Sequence, residues 1–287
     1  MNHGGMTLPA RHPRSVTRIL PCAVALAISQ SSHAEEDDQK GTSTHNYLVG
    51  AMALSQPEYE GSERRIIKLR PLWAYQWGRF RLSTSRSAAA MNFASDPQGP
   101  GASALLVDGN RFRFGGALRF DSGRQSGDSP RLIGLPDIER TLRGRVFVGY
   151  KLSDRWDVSA NVSQDLLGRQ GGAVGSLDLG YHKRLGDNIV WSAGLGMSFA
   201  NRQNMQTYFG ITPEQSATSK LPVFMASSGL RNVYVGTGFI TSLTPRWILF
   251  GNAGASRLLG DAAASPLTGQ QSSVSAGLGL AYRCCRW

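Results

Sequence analysis

The stretch RFRFGGALRF at residues 111–120 indicates the fold class of this 287-residue chain, because its side chains separate into two sets when every second residue is taken. Alternate side chains of a β-strand point to opposite faces of the sheet. One face carries the apolar residues Phe112, Phe114, Leu118 and Phe120, and the other carries Arg111, Arg113 and Arg119. A strand of a water-soluble sandwich would leave one of these sets in an unfavourable environment. The pattern predicts the wall of a transmembrane barrel, which separates lipid from a wet lumen.

The amino terminus predicts export from the cytoplasm. Three arginines precede the apolar run ILPCAVALAI at residues 19–28, which is too short to span a bilayer, and the sequence SHA at 32–34 resembles a cleavage site. A buried helix of a soluble protein would leave this order of features unexplained. We expect a signal peptide over residues 1–34, an acidic periplasmic tail over 35–45 and the barrel over 46–287.

Composition narrows the function classes further. The net charge is +11, and removal of the three leader arginines lowers it to about +8. After residue 34 no apolar run approaches the roughly 20 residues that a spanning helix needs, so a location in the membrane would require strands that cross it. The mature chain keeps only the adjacent Cys284 and Cys285, which supply neither a disulfide framework nor metal-ligand spacing. We therefore expect no cofactor, and we expect no nucleic-acid partner because the basic residues lie on strand faces of an exported chain.

The two-residue period recurs along the mature chain and predicts an all-β, antiparallel transmembrane barrel of about 12 strands. In RWDVSANVS at 155–163, for example, Trp156, Val158, Ala160 and Val162 share one face. The predicted strands are 46–56, 65–75, 79–90, 100–106, 111–120, 143–152, 155–164, 172–183, 188–200, 230–242, 245–258 and 273–286.

Connection lengths support this count, because short and long connections alternate along the chain. The short connections are 77–79, 107–110, 153–154, 185–188 and 244–245. The long connections are 57–64, 91–99, 121–142, 165–171, 201–229 and 259–272. Outer-membrane barrels have short periplasmic turns and long external loops, so the alternation predicts that both chain ends lie in the periplasm.

Basic residues occupy the face opposite the apolar residues on several strands. The candidate lumen-lining residues are Lys68, Arg70, Arg79, Arg81, Arg111, Arg113, Arg119 and Arg145. A basic lumen favours anions, which suggests a small pore or uptake channel. The alternative is that these groups pair with acidic residues of the loops and keep the lumen solvated and rigid. Both interpretations remain open at this point.

Few residues of the mature chain suit catalysis. The only histidines are His45, which precedes the first strand, and His182, which lies near a predicted periplasmic turn. The sequence GDS at 127–129 is similar to an esterase nucleophile motif, but no DxxH follows it. A nucleophile needs a base beside it, so we predict that the protein is not an enzyme.

Several longer motifs resemble the MipA/OmpV family of outer-membrane β-barrels, known as MltA-interacting proteins, over essentially the whole mature chain. These motifs are PEYEGS (57–62), GR (78–79), RLIGLPDI (131–138), QTYFGIT (206–212), GLRNV (229–233), LLGDAAASP (258–266) and GLGLAYR (277–283).

The resemblance implies a location in the outer membrane of a Gram-negative bacterium, in contact with lipid and lipopolysaccharide. It also implies a scaffold that binds a lytic transglycosylase and a penicillin-binding protein, the enzymes that cleave and synthesise murein. A small anion-favouring pore remains the alternative, because a fold transfers between relatives more safely than a role does.

The family-like motifs also supply candidate contact residues in the long loops, which have the length to fold back or to touch other molecules. These candidates are Tyr59, Arg131, Asp137, Tyr208, Phe209 and Asp261. The same motifs are rich in Gly, Pro, Asp and Ser, so turn formation would explain several of them equally well.

Overall fold

A computed structural model describes residues 46–84 and 100–284 of the chain. The predicted signal peptide and acidic tail, which includes His45, the whole of the second long connection at 91–99 and the last three residues lie outside this described part.

The described chain forms a closed barrel of twelve antiparallel strands, in which each strand pairs with its neighbours in sequence and β1 pairs with β12. The strands are β1 (Asn46–Pro57), β2 (Arg65–Trp77), β3 (Phe80–Ser83), β4 (Gly101–Asp108), β5 (Phe112–Asp121), β6 (Thr141–Lys151), β7 (Trp156–Asp165), β8 (Ala173–Leu185), β9 (Ile189–Ala200), β10 (Gly229–Ser242), β11 (Trp247–Leu258) and β12 (Ser272–Cys284).

The predicted fold class is confirmed, and so is the alternation of connection lengths. Five turns of two to four residues join the strands at one end, at 78–79, 109–111, 152–155, 186–188 and 243–246. Long loops join them at the other end. We call these the short-turn end and the loop end.

Apart from β3, the observed strand ends lie within two residues of the predicted ones, and β3 and β4 each show a further difference. β3 covers Phe80–Ser83, whereas the prediction was 79–90; residues 85–90 of that prediction lie outside the described residues. In β4 the register shifts between Leu105 and Val107, where it pairs with β5. This bulge interrupts the alternation along β4, because one extra residue reverses the phase of the side chains that follow.

The two faces of the wall differ in polarity, as a barrel between lipid and water requires. On β7, Val162 is 59% exposed on the outer face, whereas the neighbouring Ser163 is 4% exposed inside the barrel. Outward-facing rings also meet near the short-turn end. The ring pairs are Tyr47 with Tyr75, Trp156 with Tyr181, Tyr181 with Trp191, and Trp247 with Tyr282, at centroid distances between 4.8 and 5.8 Å. Such a belt is typical of the interface between membrane and water.

The long loops contain three short helices, α1 (Arg202–Phe209), α2 (Pro213–Ser219) and α3 (Gly260–Ala264). The side chain of Asn201 caps α1 by accepting a hydrogen bond from the Asn204 amide at 3.0 Å. Thr212 and Gln215 form a reciprocal capping box at the start of α2. None of the helices in the described residues is long and apolar enough to cross a membrane.

Candidate functional site

Six of the predicted lumen residues lie in strands, at positions that alternate with lipid-facing apolar residues. They are Lys68 and Arg70 on β2, Arg81 on β3, Arg113 and Arg119 on β5, and Arg145 on β6. Arg119 is the most buried of them, with 5% of its surface exposed. Arg79 and Arg111 differ from expectation, because they lie in short turns and are exposed at the end of the barrel.

Arg143 is a buried cation of β6 that was not among the candidates. It donates hydrogen bonds to the carbonyl oxygens of Gly171 at 3.1 Å and Gly172 at 3.0 Å, and its Nη1 lies 3.7 Å from Oδ2 of Asp121. The sequence carried a signal for it, since Arg143 stands two residues before Arg145 and therefore shares its face.

Other polar residues of the inner wall bond to one another across strands. Asp178 on β8 accepts hydrogen bonds from the Ser176 hydroxyl at 2.8 Å and from the Tyr234 hydroxyl of β10. The Asn161 amide of β7 in turn donates to Ser176. These contacts connect β7, β8 and β10, so the wall is held by side chains as well as by its backbone ladder.

An apolar cluster inside the barrel interrupts this polar lining. Met52, Leu72, Phe250 and Ala281 are buried together on β1, β2, β11 and β12, in the half nearer the short turns. The two-residue period predicted that apolar faces contact lipid, and it did not predict this inward-facing cluster. Small residues such as Ala51 and Ala53 occupy the lipid face of β1, while the larger Met52 points inward.

At the loop end, the described long loops form a folded structure that we call the cap, comprising residues 58–64, 122–140, 166–172, 201–228 and 259–271. The cap has apolar clusters of its own. One contains Met205, Phe209 and Ala262, and another contains Leu132, Leu135, Ile211 and Leu267. Burial of these side chains stabilises the loops against one another.

Arg231, at the start of β10, joins the cap to the barrel. It pairs with the Glu60 carboxylate, and its guanidinium carbon lies 5.6 Å from the ring centroid of Tyr208 and 5.5 Å from that of Phe209. The sequence motif GLRNV did not reveal this role. A register shift between Leu230 and Asn232 re-aims the intervening Arg231, and alternation alone does not predict such a shift.

The structure places all six predicted loop-contact residues within the cap. The Tyr208 hydroxyl donates to Asp121 at 3.3 Å, and Phe209 is buried. The Tyr59 hydroxyl donates to the Leu267 carbonyl at 2.9 Å.

The other three candidates also make contacts between or within loops. Arg131 donates to the Pro266 carbonyl at 3.2 Å. Asp137 accepts from the Ser126 amide at 2.7 Å, and Asp261 accepts from the Ser227 amide at 2.7 Å. Their use in contacts with other molecules stays a prediction.

Burial and hydrogen bonding shift the pKa values of several cap residues. Burial, followed by the nearby negative charge of Asp121, raises the pKa of Tyr208 to about 12. Burial lowers the pKa of Arg124, which donates to the Tyr208 carbonyl at 2.8 Å. Hydrogen bonds from Ser126 lower the pKa of Asp137.

Two concave regions adjoin the cap. A cavity of about 420 Å³ lies between the cap and the inner wall, and its lining includes Tyr59, Asp121, Arg143, Tyr208 and Arg231. A crevice of about 440 Å³ lies among cap residues including Asp137, Glu139, Arg169 and Gln215. Both have volumes in the range of small-molecule sites.

His182 contacts Asp157 on the neighbouring strand, with Nε2 and Oδ1 2.7 Å apart. The pair lies in the half of the barrel nearer the short turns. Within the part of the chain that the structure describes, no group of three or more His, Cys, Asp and Glu residues is arranged to hold a metal ion.

The sequence and the structure were compared with known proteins and with models of protein families. No curated protein matches the sequence. Among solved structures, the KdgM porin is similar with a TM-score of 0.41 and 8% identity, over 82% of this chain and 98% of the porin. The NanC porin is similar with a TM-score of 0.43 and 7% identity, over 82% of this chain and 100% of the porin.

The family model described as "MltA-interacting protein MipA" matches residues 49–284. With its closed twelve-strand barrel, the chain belongs to the MipA family of outer-membrane β-barrel proteins.

Proposed function

We propose that this barrel is a non-catalytic scaffold that binds murein-cleaving and murein-synthesising enzymes at the periplasmic surface of the outer membrane. The family description names an interaction with MltA, and the proposed partners of this chain are a lytic transglycosylase and a penicillin-binding protein. The observation that carries the proposal is the charge of the short-turn end, which faces the periplasm in outer-membrane barrels.

We call this surface the basic turn face and define it by the exposed charged residues of the five turns and of the three residues of each strand that lie at this end of the barrel. Its cations are Arg79, Arg111, Lys151, Arg155, Lys183, Arg184, Arg246 and Arg283. Its acids are Asp108, Asp154 and Asp187. The cations outnumber the acids by eight to three among the described residues.

None of these eight cations forms an ion pair with another residue in the described part of the chain. Exposed charges of one sign attract a partner of opposite charge and increase its rate of association. The turn face therefore suits an acidic surface on a periplasmic enzyme. β1 begins at this same end with Asn46, which directly follows the predicted acidic tail over residues 35–45 in the sequence.

Binding to purified enzymes tests the scaffold. The mature protein, immobilised in an uncharged detergent, is exposed to a purified lytic transglycosylase and to a purified penicillin-binding protein. We expect the triple variant Arg79→Glu, Arg111→Glu, Arg155→Glu to weaken binding at least tenfold, with the largest effect at low salt.

The matched control places the same charge change at the loop end, in Arg140→Glu, Arg202→Glu, Lys220→Glu, and should leave binding unchanged. A deletion of residues 35–44 in the same assay separates the contribution of the tail. Failure of both enzymes to bind the unaltered protein, or equal weakening by both triple variants, would overturn the proposal.

A second candidate function is a small pore that favours anions. The observation that favours it is the row of six basic residues along the inner face of β2, β3, β5 and β6. The apolar cluster around Met52 and the cap oppose free passage. Conductance in planar bilayers distinguishes the two: an anion current reduced by Arg113→Gln and Arg145→Gln supports the pore, and its absence supports the scaffold.

His182 fits a structural role in either case. Its hydrogen bond to Asp157 joins β7 to β8 on the lumen side. We therefore propose that neither residue takes part in a chemical reaction.

A further inference from the structure

The proposed scaffold function does not involve the cavity between the cap and the inner wall, because the partners would bind at the other end of the barrel. The volume of the cavity is about 420 Å³, and Tyr59, Tyr208 and Phe209 contribute aromatic side chains from the cap. Strand residues form the rest of the lining. The space is therefore bounded by two parts of the molecule that have different chemistry.

Most charged residues of this cavity are neutralised by partners of their own. The ion pairs are Glu60 with Arg231, Asp121 with Arg143 at 3.7 Å, and Glu58 with Arg64 at 3.3 Å. The remaining two bond to the backbone, since Arg124 donates to the Tyr208 carbonyl at 2.8 Å and Asp128 accepts from the Gln125 amide at 3.0 Å. The cavity thus offers little net charge to a ligand.

Hydroxyl and amide groups form the polar part of the wall. They belong to inward-facing residues of β7 and β9–β12 that include Asn161, Ser198, Asn232, Ser256, Ser273 and Ser275. Hydroxyls both donate and accept hydrogen bonds, and side-chain amides do the same. This is the inventory that matches the hydroxyl groups of a neutral polyol.

Three buried polar atoms of the lining lack a hydrogen-bond partner in the described structure. They are Oε1 of Gln56, Oε2 of Glu58 and Nε of Arg231. Gln56 is 7% exposed and lies on β1, next to the cap. Buried polar groups are normally paired, so unpaired atoms beside a cavity indicate a group that the cavity accepts.

We propose that this cavity binds a neutral polyhydroxylated molecule of monosaccharide or disaccharide size. Its hydroxyl groups pair with the serines, the amides and the unpaired Gln56 oxygen, and the apolar face of its ring packs against the cap aromatics. The proposal does not depend on the scaffold function, since it concerns the opposite end of the barrel.

Calorimetric titration of the mature protein tests the proposal, in a polyoxyethylene detergent because a detergent with a sugar headgroup would compete. The neutral probes are N,N′-diacetylchitobiose and sucrose, and the charged comparators are glucuronate and glucosamine. We expect saturable binding of at least one neutral probe and at least tenfold weaker binding of both charged sugars.

Two variants connect binding to the cavity. Gln56→Met keeps the size of the side chain and removes the unpaired oxygen, so binding should weaken at least fivefold while barrel stability stays unchanged. The double variant Ser256→Ala, Ser273→Ala should weaken it at least tenfold. The control is Ser192→Ala, a buried inward-facing serine of β9 outside the cavity lining, which should bind normally.

The absence of saturable binding by both neutral probes would overturn the proposal. So would tighter binding of a charged comparator, or equal weakening by Ser192→Ala and the cavity variants. Electrophoretic heat-modifiability confirms for each variant that the barrel is folded.

Discussion

The two ends of the barrel differ in the ion pairing of their charged residues. At the loop end, Arg231 and Arg143 lie within contact distance of Glu60 and Asp121, and the surrounding loops have apolar clusters of their own. At the short-turn end, the basic turn face leaves cations such as Arg155 exposed and without an ion-pair partner in the described chain.

The difference follows from the length of the connections. The loop 201–228 is long enough to form two helices and bury Phe209, and the loop 58–64 brings Glu60 to Arg231. A turn of two to four residues holds its side chains outside the barrel, where water rather than protein surrounds them. The cap therefore depends on its internal contacts for stability, whereas the turn face is available to a partner.

Among the changes considered, removal of the Arg231 side chain should destabilise the cap most. Arg231→Ala leaves Glu60 without its partner and removes the cation above Tyr208 and Phe209, which should destabilise the cap by about 2–3 kcal/mol. That free energy corresponds to a 30- to 150-fold faster cleavage of the cap by proteinase K. Arg202→Ala, an exposed residue of α1, is the control; equal cleavage of both variants would refute the role of Arg231.

The second largest effect should come from high pH, which should destabilise the cap. Because the folded pKa of Tyr208 is about 12, above the unfolded value near 10, its contribution is complete below pH 10 and is lost as pH rises from 10 through 12. The loss should reach about 2 kcal/mol. Tyrosinate absorbance measures the titration, and the component near pH 12 should disappear in Tyr208→Phe. A Tyr208→Phe spectrum that keeps this component would contradict the assignment.

Two glycines of the cap allow the cost of close packing to be distinguished from the cost of a positive φ angle. Both Gly123 and Gly168 have positive φ, at 66° and 68°, so Ala at either position should cost about 1 kcal/mol or more. A Cβ on Gly123 would also lie 1.9 Å from the Ile138 carbonyl oxygen, whereas nothing lies within 4 Å at Gly168. Gly123→Ala should therefore be cleaved at least tenfold faster than Gly168→Ala in limited proteolysis. Similar rates would show that the loop adjusts without strain.

Charge reversal on the turn face should have the smallest effect on stability. The variant Arg79→Glu, Arg111→Glu, Arg155→Glu changes exposed residues, so the free energy of unfolding should stay within about 0.5 kcal/mol of the unaltered protein. Urea titration in detergent measures it. A loss of more than about 1 kcal/mol would mean that these cations stabilise the barrel rather than serve a partner.

Much of the fold was accessible from sequence because a barrel wall imposes a strict two-residue period. RFRFGGALRF and RWDVSANVS identified β5 and β7 within one residue of their observed bounds. The bulge in β4 was not predictable, since a register shift depends on how the partner strand pairs. The helix α2 carried a usable signal in Thr212, Pro213 and Gln215, which form an N-terminal capping pattern.

The candidate site was accessible only in part. Arg143 shared the phase of Arg145 and could have been included. The pairing of Glu60 with Arg231 joins residues 171 positions apart, and sequence spacing does not encode such a contact. The inward orientation of Met52 was also missed, because an apolar residue in a barrel strand fits lipid and a packed interior equally well.

The sequence by itself determined the number of strands, their alternation and the unequal connections, because each depends on local chemistry that repeats along the chain. Tertiary structure decided which charges pair, which apolar residues point inward, and which groups the predicted loop-contact residues bond to. These features depend on distances between residues remote in sequence, which closure of the barrel and folding of the cap establish.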